Sequence, residues 1–318
     1  MRPIIAIPVT LLLVTRAYTR RSLTPLGILT AALTATIHAL HPSALPFTLL
    51  CTFFLLGTTA TKVKHDVKAT LTVSSSGASG GEGPRTSLQV VANSGCASAL
   101  CLLHVSLFGV DTSEGAECFG GSRQSSNTFA DLLLMGIMAN YAAVAADTLS
   151  SELGILSKSQ PVLITNPLRV VPRGTNGGVT LAGLLAGVGG SAAIAATSVA
   201  LLRFCAGSPC DALTLFALLT GLGTIGTLLD SLLGALLQAS VIDRRSGKIV
   251  EGPGGLKVLT RPKTPPAHVQ GHGRKSSGEE SSRLVNSGND ILDNNQINLL
   301  MASIMSVSGM IAGDLLCR

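Results

Sequence analysis

The sequence predicts an all-α fold, a polytopic transmembrane helical bundle of about six to eight spans, and three observations carry that prediction. Of 318 residues, 46% are hydrophobic and only 13% charged, roughly half the charge that a water-soluble domain spends on its surface. Most of the apolar residues fall in runs near the length of about 17 to 25 that crosses a hydrocarbon core. Nineteen of the 23 Lys and Arg lie in the first, third, fifth and seventh connections between those runs. Alternation of that kind sets orientation in a membrane, with the basic connections on the cytosolic side and both termini opposite. The chain therefore reads as one integral membrane domain over residues 1–318.

The runs follow in order. Pro3 to Ala17 is short, but Arg16, Arg20 and Arg21 follow it while only Arg2 precedes it, the reverse of a secretory signal. Leu23 to Leu40 and Ala44 to Thr61 are the next two, the latter closed by Lys62 and Lys64. Thr86 to Val110 opens on Arg85, Gln89 and Asn93, and Thr128 to Asp147 ends on a carboxylate. Gly178 to Phe204 and Asp211 to Val241 are rich in small residues, which allow close helix approach. Asn298 to Cys317 follows the amide-rich Asp293-Asn-Asn-Gln-Ile-Asn298. The seventh connection, with its polar part at residues 243–290, has the composition of a flexible basic loop. The connection through Ser74 to Gly81 reads the same way.

A net charge of +6 does not point to nucleic acid, because the basic residues are scattered and not gathered on an aromatic-studded face. The seven cysteines lack metal-ligand spacing; Cys205 and Cys210 flank a turn and are candidates for a bridge in an oxidising compartment. Function then falls to the few polar residues in or beside the spans, where a charge costs roughly 2.5 to 3.5 kcal/mol. Asp147, Glu152 and Asp230 are the candidate catalytic and metal-binding residues. Ala146-Asp-Thr-Leu-Ser-Ser-Glu-Leu-Gly154 packs oxygen donors of the type Mg²⁺ takes, although Asp147 and Glu152 stand about 140° apart on a regular helix. Asp230 sits between Gly226 and Gly234 at helical spacing, which sinks it into the bundle. Pro172-Arg-Gly-Thr-Asn-Gly-Gly-Val-Thr180 has the makings of an anion cradle. Arg173 supplies a forked cation, Gly174, Gly177 and Gly178 supply backbone freedom, and Thr175 or Asn176 is expected to cap the following helix. Lys62, Lys64 and Asn294 complete the phosphate-binding candidates, and on the charge-derived topology all these groups share one depth.

The stretch Asp147-Thr-Leu-Ser-Ser-Glu-Leu-Gly-Ile-Leu-Ser157, followed by the Pro172 to Thr180 turn, resembles the transmembrane protein 19 family of integral membrane proteins. The resemblance extends from Ser22-Leu-Thr-Pro-Leu-Gly27 through Thr61-Lys62, Gln89-Val90 and Asn93 to Asp293–Asn298. That family includes a plant phytyl-phosphate kinase of vitamin E synthesis. The expected location is the endoplasmic reticulum or plasma membrane, and the resemblance implies a multi-pass protein embedded in lipid. It further implies a Mg²⁺-dependent kinase carrying phosphate from a nucleoside triphosphate to an isoprenoid phosphate. A transporter of an anionic solute and a non-catalytic membrane protein are the alternatives, and the sequence leaves oligomeric state open.

Overall fold

The computed structural model describes residues 2–76, 80, 83–110, 118–120, 128–258 and 282–317. All eight apolar runs are helices. In chain order the helices are α1 (Pro3–Thr19), α2 (Pro25–Leu40), α3 (Leu45–Lys62), α4 (His65–Leu71), α5 (Ser87–Phe108), α6 (Thr128–Gly154), α7 (Leu181–Leu201), α8 (Ala212–Leu237) and α9 (Asn294–Leu316). Six of them, α3 and α5 to α9, are long and apolar enough to cross a membrane, and α1 and α2 are shorter apolar helices. The starts are written in side chains. Thr24, Thr180 and Asp211 each accept a backbone N–H of their helix's first turn, and Thr86 with Gln89 and Asp293 with Gln296 form reciprocal capping boxes. The apolar run of the fifth span was expected to stop at Asp147, yet α6 continues seven residues further to Gly154. The carboxylates at 147 and 152 meet partners from other helices and so do not end it.

α6 is the axis of the bundle. It is apolar on every side, which is the pattern of a helix surrounded by others, and every residue from Leu133 to Ala146 is buried. Its neighbours approach through glycine. A methyl group on Gly190 of α7 would come within 2.6 Å of Ala145 O, one on Gly226 of α8 within 2.6 Å of Ala143 Cβ, and one on Gly309 of α9 within 3.0 Å of Met135 O. Backbone-to-backbone packing of this kind substitutes for the hydrophobic drive that lipid cannot supply.

Short strands close the basic end. β1 (Val73–Ser74) runs parallel to β6 (Val250–Glu251), β3 (Asn166–Val170), β2 (Val162–Leu163) and β4 (Gly178–Val179) form an antiparallel sheet in that order, and β5 (Ser240–Asp243) pairs antiparallel with β7 (Arg283–Ser287). The seventh connection, expected to be flexible throughout, thus has both flanks folded as strands; its centre, 259–281, lies outside the described residues, as do 77–79, 81 and 82 of the third connection. The opposite end carries two disulfides, Cys118–Cys205 and Cys210–Cys317. The expected Cys205–Cys210 pairing is overturned, because Phe119 forms a bridge with Phe204 that carries Cys118 to Cys205, and the end of α9 brings Cys317 to Cys210.

Gly223→Val is expected to destabilise the bundle by about 1–3 kcal/mol through overpacking, because its Cβ would sit 2.7 Å from Ala142 O. Gly221→Ala, whose Cβ would meet nothing within 4 Å, should leave thermal unfolding in detergent unchanged or raised. Mass spectrometry of unreduced peptides should recover the 118–205 and 210–317 links.

Candidate functional site

The helix ends and strands at the basic end enclose a cavity of about 1020 Å³, the size of a site for a cofactor or two small substrates. The lengths of the helices that build it fix its depth. Asp147 lies 19 residues along α6, Asp230 18 residues along α8 and Asn298 18 residues from the far end of α9. At 1.5 Å per residue all three stand about 27–29 Å from the disulfide end, near the far boundary of a hydrocarbon core about 30 Å thick. Thr227 Oγ1 donates to Asp147 Oδ1 at 3.4 Å. With its amide turned to donate, Asn298 reaches Asp230 Oδ2 and Asn294 O, each at 3.1 Å. An Asn side chain is oriented by its network in this way.

Glu152 does not join the two aspartates. Its carboxylate accepts from Thr61 Oγ1 of α3 at 2.6 Å and from Lys68 Nζ of α4 at 2.5 Å, and Lys68 also donates to Ala60 O at 2.9 Å. Both members of the pair are nearly buried, with side-chain exposures of 8% for Lys68 and 11% for Glu152. Among the described residues no three His, Cys, Asp or Glu side chains gather closely enough to form a ready-made metal centre. The three-carboxylate set expected from the sequence is therefore not assembled, and the reason is the five-residue spacing, which aims Glu152 at α3 and α4 and Asp147 at α8.

Lys62 and Lys64, the expected phosphate cations, are exposed and outside the cavity lining. Lys64 has φ of +47° and turns the chain from α3 back into α4, so that Lys68, one turn later, points inward. Lys68 was not singled out in the sequence, because a lone lysine after a basic helix end carries no pattern; the signal is geometric. Arg85 is the other cation on that side. Its Nη2 donates to Thr61 Oγ1 at 3.3 Å, and a methyl group on Gly57 would lie 2.8 Å from its Nη1.

Residues 173–180 of the turn line the cavity, but not as a helix start. Thr180 caps α7 by accepting from Gly183 N at 3.0 Å, while Thr175 Oγ1 donates to Pro172 O at 2.7 Å and Asn176 is bonded to Ala239 O and Ser240. Gly174 and Gly177 have φ of +83° and +75°, and a methyl group on Gly177 would lie 2.7 Å from Ser231 O of α8, so the turn is pressed against the helix that carries Asp230. Arg173 Nη2 donates to Ser157 O at 2.6 Å. Asn294 opens α9 within the lining, beside Gly255.

The described lining carries six carboxylates, Asp147, Glu152, Asp230, Glu251, Asp290 and Asp293, against four cations, Lys68, Arg85, Arg173 and Lys257. Lys68 is paired with Glu152 at 2.5 Å and Lys257 with Asp290 at 3.2 Å. Carboxylates thus outnumber cations in the described lining, six to four, and carboxylate oxygens are the ligand type that hard cations take.

Fold and site together define a multi-pass helical membrane protein with a polar cavity at the helix ends. The chain belongs to the family described as integral membrane protein DUF92, which matches residues 8–306. It is 37% identical over 258 residues to Protein PGR of Arabidopsis thaliana, an alignment covering 80% of this chain and 85% of that protein. An uncharacterized membrane protein of Methanocaldococcus jannaschii is 41% identical over 105 residues, 33% of this chain and 40% of that protein. Protein VTE6, chloroplastic, of Arabidopsis thaliana is 32% identical over 162 residues, 51% of this chain and 42% of that protein. No solved structure matches the chain.

Lys68→Met leaves the Glu152 carboxylate buried without its partner and is expected to cost about 3–5 kcal/mol. Adding Glu152→Gln should recover most of that loss. Thermal unfolding of the two single variants and the double variant reads the coupling, and additive losses would contradict the pairing.

Proposed function

We propose that the protein is a prenyl-phosphate kinase of the transmembrane protein 19 group within this family, working at the cytosolic face of the endoplasmic reticulum or plasma membrane. The observation that carries the reading is the lining itself. Two half-buried aspartates from adjacent helices line one cavity of about 1020 Å³ together with Arg85 and Arg173, at the depth where the phosphate of a membrane-embedded alcohol would lie.

The donor set suits Mg²⁺, which takes one or two carboxylates and completes its shell with water and substrate phosphate oxygens; Asp147 and Asp230 would hold it. When bound, the ion supplies positive charge against the phosphates that the acidic lining otherwise repels. Transfer joins an oxygen of the acceptor's phosphate to the terminal phosphorus of a nucleoside triphosphate. The bond from that phosphorus to the bridging oxygen breaks, and a nucleoside diphosphate leaves with the electron pair. An acceptor that is already anionic requires no side-chain nucleophile. The residues contribute position and charge compensation: Arg173 and Arg85 neutralise phosphate oxygens, Asn298 and Thr227 fix the two carboxylates, and the strands over the cavity exclude water.

Orientation is supported from both ends. The basic connections share the cavity's end, and the cysteine bridges lie at the other, where an oxidising compartment would sustain them. The unbroken burial of α6 from Leu133 to Ala146 favours a reaction site closed at its base over a solute pathway.

Purified protein in detergent with Mg²⁺ and labelled nucleoside triphosphates should convert phytyl, farnesyl or geranylgeranyl phosphate to the diphosphate. Asp147→Asn and Asp230→Asn should each lower the rate by about 100-fold or more, whereas Lys62→Ala should leave it within twofold, about the effect of an exposed charge. Absence of transfer from every nucleotide to all three acceptors would refute the kinase reading.

A further inference from the structure

The cationic corner of the cavity and a separate apolar hollow lie along one face of α3. Leu50, Phe54, Gly57 and Thr61 follow one another at four-, three- and four-residue steps and so form a single stripe along α3. At the inner end of the stripe, Leu50 and Phe54 line an apolar hollow of about 60 Å³ between α1, α2 and α3. At the outer end, Gly57 lies under Arg85 and Thr61 donates to Glu152, which holds Lys68. Leu23, which also lines the hollow, forms a backbone bridge with Arg85 itself. An apolar hollow on the same helix face as a buried lysine and a half-buried arginine has the polarity of a single-chain amphiphile with an anionic head.

We propose that Lys68 and Arg85 receive the phosphate of a monophosphorylated single-chain lipid, and that a short segment of its chain enters the hollow along the α3 stripe. Glu152 is the resident counter-charge. An ammonium has three donors, and Ala60 O and Glu152 take two of those on Lys68; an arriving phosphate competes with Glu152 for the same cation. The hollow, about 60 Å³, is too small for a whole isoprenoid tail, so it takes a short segment of the chain while the rest lies among the lipids. Naming this ligand the kinase acceptor rests on the reading above; the binding itself does not.

The test measures binding of geranylgeranyl phosphate, geranylgeraniol and inorganic phosphate to the full-length protein in detergent, without nucleotide. Glu152→Gln keeps a polar partner for Thr61 but removes the competing charge, and should tighten geranylgeranyl phosphate on the order of 10-fold. Lys68→Met with Glu152→Gln, which leaves no unpaired buried charge, should weaken it by about the same factor relative to the Glu152→Gln variant. Ala31→Phe, filling the hollow, should weaken geranylgeranyl phosphate and leave inorganic phosphate unchanged. A folded Glu152→Gln protein with unaltered affinity would overturn the charge exchange. Inorganic phosphate binding as tightly as the lipid phosphate, or geranylgeraniol binding equally well, would overturn the lipid phosphate as occupant. Predicted binding without phosphoryl transfer would sink the kinase reading and leave this site standing; transfer that survives the double variant would do the reverse.

Discussion

Everything in this molecule depends on α6 being buried on every side. A helix in the middle of a membrane bundle gains nothing from hiding apolar side chains, since lipid is as apolar as its neighbours, so its packing must come from close backbone contact. Gly190, Gly226 and Gly309 supply that contact from three different helices. Their spacing sets the register of α7, α8 and α9 against α6, and register is what brings Asp147, Asp230 and Asn298 to one level. Were α8 displaced by one turn, about 5.4 Å, Asp230 would leave the cavity.

The polar groups then sort by direction as well as depth. Asp147 of α6 faces α8, which carries Thr227 and Asp230, while Glu152 of α6 faces α3 and α4, which carry Thr61 and Lys68. Acid and base are therefore not mixed at random: Glu152 and Lys68 form one nearly buried pair, and carboxylates outnumber cations in the described lining, six to four. A cavity left acidic at the level of lipid headgroups favours an anion that arrives with a divalent ion, and for that reason the kinase reading and the Mg²⁺ requirement stand or fall together.

Much of this was legible in the sequence. The eight apolar helices and the convergence of the fifth and seventh connections on one end follow from apolar run length and the distribution of Lys and Arg. Asp147, Asp230, Arg173 and Asn294 do line one cavity. What misled was local pattern standing in for geometry. Lys62 and Lys64 sit at the obvious helix end, but the left-handed turn at Lys64 sends the chain back so that Lys68 becomes the inward cation. Glu152 looked like a third ligand by proximity in sequence, and helical rotation turns it away. Thr175 looked like a cap, yet Thr180 does that work because two strand residues intervene before α7. Disulfide pairing was illegible for a different reason: it depends on which loops meet across the bundle, and nothing within the Cys205 to Cys210 turn reports the approach of Cys118 or Cys317.

The central claim, that α6 and α8 jointly present a divalent-cation site to a phosphate-bearing ligand, is tested most directly by electron paramagnetic resonance of Mn²⁺ added to the purified protein with inorganic diphosphate. One ion per chain should become immobilised, and Asp147→Asn and Asp230→Asn should each release it while Glu152→Gln retains it. Mn²⁺ held equally by all three variants, or held only when Glu152 is intact, would contradict the account.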